Sequence, residues 1–272
     1  MIFSARPMAL QAVRLSIPAL LLVPTMVRGQ SSDVIKNTAA YVALSFTPVG
    51  ALPPLLTRSM AGGPAGTGGT AAEGFQPQLV VRYGRGTFGF DDAGDNVHVN
   101  AFGLTGLLPA GQAATLSATA AIIDPDCSDC QSQWMFSVGS DVALGGAQLG
   151  REVGSPRLTI GLSGELGFTK KDEMRGLSLT AGVPVALVAA SGAVKVVPFL
   201  TPAIGYGRSR VAADEPEEGA IRFLLGGGVS LLNVASALSI NVGFQKIFYS
   251  VDTGFGTISS TMLFGAGVTI GR

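Results

Sequence analysis

The chain has 272 residues, no formal net charge, 38 glycines and only 13% charged residues. That charged share is about half the usual one. Zero net charge, with no concentrated basic patch, argues against a nucleic-acid partner. Abundant glycine with little charge suits a protein whose outer surface does not face water.

Residues 1–29 read as a secretory signal. Arg6 and Arg14 give a basic start, "LSIPALLLVPTMV" (15–27) is the apolar core, and "VRG" precedes Gln30, so cleavage is expected after Gly29. Pro18, Pro24 and the shortness of the run disfavour the alternative, an uncleaved anchor. Export implies an oxidising compartment, so Cys127 and Cys130 are expected to be bonded to each other.

Residues 30–74 differ from the remainder of the chain. Tyr41 to Phe46 has room for one short strand, and "AGGPAGTGGTAAEG" (61–74) has the composition of a flexible linker. The segment reads as an N-terminal extension or partial plug. From Phe75 onward one pattern repeats in ten segments: 75–90, 97–107, 112–123, 133–146, 156–168, 176–188, 194–207, 220–232, 237–249 and 257–271. Apolar residues alternate with small or polar ones. Trp134, Phe136, Val138, Val142 and Leu144 oppose Ser137, Gly139 and Asp141. Leu158, Ile160, Leu162, Leu166 and Phe168 oppose Arg157, Thr159, Ser163 and Glu165. A period of two means a β-strand with unlike faces.

Two solvents are conceivable for the apolar face. In a water-soluble sandwich it meets a shared core, and the polar face carries Lys and Glu. Here the polar faces carry Gly, Ser and Thr. Small residues fit the narrow interior of a barrel whose apolar face meets lipid. About 12 residues at roughly 3.3 Å each, tilted near 40°, rise about 30 Å, the thickness of the bilayer core. The connections agree. "FDDAGDN", "DPDCSDCQS", "TKKDEMR", "RSRVAADEPEEG" and "SVDTGFG" hold nearly all the loop charge, and they alternate with "LPAG", "GAQLGREVGS", "AASGA" and "NVAS". Long loops on one side and short turns on the other are the mark of a membrane barrel, with "GAQLGREVGS" long for its side. Phe90, Trp134, Phe136, Phe168, Tyr206, Phe223, Phe248 and Tyr249 sit at the charged-loop ends, as one interfacial girdle would.

On these features residues 75–272 resemble the bacterial outer-membrane β-barrel proteins. The resemblance is architectural and names no activity. It implies an all-β fold: a transmembrane antiparallel up-and-down barrel of about ten strands, eight or twelve being alternatives chiefly because residues 38–49 have the makings of another. Both termini would be periplasmic. The partners implied are outer-membrane lipid and the outer-membrane assembly machinery. Proteins of the class commonly end in an aromatic residue, whereas this chain ends in Gly271-Arg272, with Phe264 the nearest aromatic. A soluble secreted β-domain and a helical membrane protein are the rival folds, the latter with residues 176–194 as its candidate span.

The inward face is expected to collect Gln78, Arg82, His98, Asn100, Asp141, Arg157, Glu165, Lys195, Arg222, Asn241 and Gln245. Buried charge must find partners, so these residues either hold the lumen together or line a narrow pore. His98, the only histidine, follows Asp91, Asp92 and Asp95. A histidine beside carboxylates at a barrel rim can activate a water, as in some ten-stranded outer-membrane proteases, but their Asp-x-His pairing is absent from "DNVH". In "DPDCSDC" a pinned surface loop is preferred over a redox-active CxxC or a cation site on Asp124, Asp126 and Asp129. Parity turns Lys246 toward lipid, where it would snorkel to the headgroups, unless a bulge turns it inward. No nucleophile elbow, P-loop or zinc-spaced set is present, so no catalytic residue, metal or cofactor is expected. The expected function is a non-catalytic small pore or structural envelope component. A surface-binding protein acting through its outer loops and a rim hydrolase using His98 are the alternatives.

Overall fold

The computed structural model describes Leu52, Thr57 and residues 77–90, 96–111, 113–126, 132–151, 155–171, 174–191, 194–210, 218–235, 238–252 and 257–270. The signal segment, most of residues 30–74 and the Cys127–Cys130 pair lie outside these residues.

Among the described residues eleven strands follow one another: β1 Gln78–Phe90, β2 Asn96–Pro109, β3 Ala114–Pro125, β4 Gln133–Gln148, β5 Arg157–Lys171, β6 Met174–Gly182, β7 Val185–Ser191, β8 Val194–Arg210, β9 Glu218–Ala235, β10 Leu238–Asp252 and β11 Thr257–Ile270. All pairings are antiparallel, and β1 bonds β2 on one edge and β11 on the other, which closes the sheet. Closure removes every open edge, the condition for a sheet to stand in hydrocarbon.

The segment expected as one strand over 176–188 is two, β6 and β7, interrupted at Val183 and Pro184. Their register is continuous. Ser163 pairs with Gly182 and Ile160 with Val185 on the β5 side, while Gly182 pairs with Ala203 and Val185 with Leu200 on the β8 side. The two pieces are therefore one stave, and the barrel has ten. The interruption arises because Pro184 has no N–H to give the ladder.

Several strands outrun the alternating pattern. β5 reaches Lys171 and β6 starts at Met174, while β8 reaches Arg210 and β9 starts at Glu218. Ladder bonds continue beyond the lipid layer, where no apolar face is required, so alternation stops before pairing does. The long connection 146–155 shrinks in the same way, with β4 running to Gln148 and Leu149 N–H donating to the Pro156 carbonyl at 2.8 Å. The turn from β2 to β3 closes through Ala110 N–H to Ala114 O at 3.0 Å, with Gly111 at φ 90°, a conformation open to glycine.

Large apolar side chains cover the outside. Leu79, Val81, Phe102, Leu104, Phe136, Val138, Leu162, Leu166, Leu179, Leu200, Ile204, Val242, Phe264 and Val268 are all exposed. A belt of that extent is incompatible with water and matches a lipid boundary. Trp134, Phe136, Phe168, Tyr206, Phe223 and Phe248 point outward at the long-loop ends, and the Trp134 and Phe136 rings stack at 6.2 Å. Lys246 also faces outward, half-buried, its Nζ 5.1 Å from the Phe248 ring centre. Buried residues lie inside the barrel. The chain is a membrane-spanning antiparallel β-barrel.

Candidate functional site

The lumen is layered. Toward the long loops, Val99, Ala101, Ala121, Ile123, Met135, Ile247 and Leu263 are buried. Toward the short turns, Ala143, Ala186, Val197, Phe199 and Leu232 form a second apolar cluster. Between them lies a polar cavity of about 110 Å³ whose wall includes Arg82, Thr105, Thr119, Asp141, Glu165 and Gln245.

The cavity is wired by hydrogen bonds between neighbouring strands. Arg82 Nη1 donates to Thr105 Oγ1 at 3.4 Å, and the Thr105 and Thr119 hydroxyls are 2.9 Å apart. Ser137 Oγ donates to Glu165 Oε1 at 2.5 Å. Arg82 and Glu165 attract one another across the lumen, while Asp141 and Glu165 repel. One cation thus faces two carboxylates. The Thr180 hydroxyl, also at the wall, has no hydrogen-bond partner among the described residues, so the cavity suits a bound water.

Of the lumen residues expected from the sequence, Arg82, Asp141, Glu165 and Gln245 meet at this cavity. Arg222 is 2% exposed and lies beside Gly205, outside the cavity wall. Asn241 belongs to a separate cluster nearer the short turns, accepting from Ser230 at 2.5 Å and donating to Thr269 at 3.1 Å. Arg157 is half-buried near Gly146 at the short-turn end, and Lys195 is exposed at that mouth rather than inside the lumen. Gln78 is buried on the inward face.

His98 and Asn100 are corrections. Both were expected inside, yet β2 turns Val99, Ala101 and Thr105 inward. His98 and Asn100 share the parity of Phe102 and Leu104, which face lipid. Asn100 accepts from the Tyr83 hydroxyl at 2.9 Å, and His98 Nδ1 is 3.1 Å from Thr87 Oγ1. The physical reason is depth: near the long loops the outer face passes from acyl chains into headgroups, and polar residues are tolerated there. The parity of Phe102 and Leu104 was the available signal. Asp91, Asp92 and Asp95 lie outside the described residues, as does the disulfide expectation.

Other residues of the wall were not anticipated individually. Leu52 and Thr57, from the N-terminal extension, are buried and line the cavity. A Leu52 methyl occupies the space that a Cβ at Gly103 would take, beside Ala121. Pro184 lines the same wall. Among the described residues no group of three or more His, Cys, Asp or Glu side chains converges on a metal-sized site.

No family model matches the sequence, and no curated protein matches it significantly. Solved structures do. The transport unit of the autotransporter AIDA-I from Escherichia coli is 10% identical, with a TM-score of 0.44 over 89% of this chain and 100% of that one. The outer membrane enzyme PagL is 13% identical, with a TM-score of 0.34 over 71% of this chain and 99% of the other. The translocator domain of NalP from Neisseria meningitidis is 10% identical, with a TM-score of 0.33 over 79% and 93%. The closed antiparallel sheet and its apolar outer belt are read from this chain's own pairings and side chains, independently of these likenesses.

Proposed function

We propose that this protein is a non-catalytic structural component of the bacterial outer membrane, exported through a cleaved signal, and closed to solutes at rest. The observation that carries the reading is the filled lumen. Apolar layers bracket the polar cavity, and Leu52 and Thr57 occupy space that an open pore would need. The hydrolase alternative loses support because His98 sits on the outer face against Thr87.

A gated pore is the second reading, favoured by the charged central cavity. Planar bilayers separate the two. Folded full-length protein should give no steady conductance at any voltage, and a steady channel would overturn the structural reading. Removal of residues 30–74 that opens a stable channel would establish the gated pore, with that segment as its plug.

A further inference from the structure

In an antiparallel ladder the N–H and C=O of one residue point at the same neighbour. Val183 N–H donates to the Pro202 carbonyl at 2.9 Å, so residue 202 directs its backbone at the β6–β7 stave. Residue 198 lies four positions away on β8 and points the same way. Neither proline has an N–H to return. Pairing of β7 with β8 runs through Val185↔Leu200 and Ala186↔Phe199, then resumes only at Ala189↔Val196. The other edge of the stave is also short of a donor, since Gly161 donates to the Pro184 carbonyl at 3.0 Å and Pro184 returns nothing. No water is present in hydrocarbon to replace these bonds.

The two sides of this seam are equally specific. Outside, Val183, Leu200 and Pro202 are exposed to lipid. Inside, Ala186, Val197 and Phe199 pack with Leu232 in the lower apolar cluster. Lys195, two residues before Val197 on β8, is exposed at the short-turn mouth. An apolar interior and the apolar membrane are thus separated by the seam from which the prolines remove ladder donors, with a cation at headgroup depth below it.

We infer that the seam between β7 and β8 parts laterally and admits the acyl chain of a membrane phospholipid. The tail lies against Val197, Phe199 and Leu232, and the phosphate meets Lys195. This rests on the membrane placement of the barrel but goes beyond a purely structural role.

The test uses the full-length protein in phosphatidylethanolamine and phosphatidylglycerol vesicles doped with a phospholipid carrying a diazirine on its acyl chain. After irradiation, adducts are mapped by mass spectrometry. Adducts are expected on inward Phe199 and Leu232 as well as on outward Leu200 and Ile204. In a Pro198→Val/Pro202→Val variant, which restores both donors, the inward yield should fall roughly tenfold while the outward yield holds. Should the double variant not fold, each single variant should lower the inward yield about threefold. Outward adducts alone in the parent protein, or an inward yield that no restored donor lowers, would overturn the inference and leave the membrane placement intact. Absence of adducts at every position, outward ones included, would remove the membrane placement itself.

Discussion

Val183 gives its amide hydrogen to the carbonyl of Pro202 at 2.9 Å, and Pro202 has none to give back. Pro198 repeats the defect at the next position but one in the ladder's hydrogen-bonding rhythm. The β6–β7 stave should therefore open locally before its neighbours do. Hydrogen exchange in micelles should show the amides of Val185–Ser191 exchanging faster than those of Asn241–Ile247 in β10. A ladder bond is worth roughly 0.5–1.5 kcal/mol, so Pro202→Val should slow exchange at the seam about threefold or more. Equal protection of the two strands would contradict a weakly tied stave.

Arg82, the one cation among the described residues of the cavity wall, is more critical than either carboxylate. Glu165→Gln removes one acceptor but leaves the Asp141 carboxylate on the same cavity wall as Arg82, and should cost about 1–3 kcal/mol. Arg82→Met leaves two carboxylates that repel one another in the lumen and should cost about 3–5 kcal/mol. Urea unfolding from vesicles gives the order. A larger loss from Glu165→Gln would mean that Arg82 does not anchor the cavity.

Gly228 is needed for space. A Cβ there would fall within contact distance of the Val242 carbonyl oxygen and the Gly243 backbone, neither of which is a flexible side-chain end. Gly228→Ala should destabilise the barrel by about 1–3 kcal/mol. Gly145 has nothing within 4 Å of the same position, and Gly145→Ala should stay within about 0.5 kcal/mol of the parent. Thermal unfolding of the two variants side by side checks the contrast.

Leu52 depends on the absence of a side chain at Gly103. In a background with Cys127→Ser and Cys130→Ser, a Leu52→Cys thiol should react slowly with a water-soluble maleimide. Adding Gly103→Val should displace it and speed labelling by about tenfold or more, the change expected from losing a burial worth roughly 1.5–3 kcal/mol. Fast labelling in the parent background would mean that Leu52 is not held in the lumen.

The sequence revealed the staves because lipid imposes a strict rule on every strand. Phe136, Val138, Leu162 and Leu166 must face hydrocarbon, and Ser137, Gly139, Ser163 and Glu165 must then face in. It was less informative where the rule relaxes. Strand ends such as Lys171 and Arg210 continue the ladder in water without alternation, and His98 and Asn100 sit at headgroup depth, where a polar residue on the outer face costs little.

By itself, then, the sequence determined the closed all-β architecture, the face of nearly every strand and the pairing of long loops with short turns. These follow from a local, period-two response to a uniform solvent. Only the tertiary structure decided which polar residues meet. Arg82, Asp141 and Glu165 come from β1, β4 and β5, and the curvature that brings them to one cavity is a property of the whole cylinder. It also decided that Leu52 fills the space beside Gly103, and that Pro198 and Pro202 aim their missing donors at the same seam. Both depend on register between distant segments, which no single strand encodes.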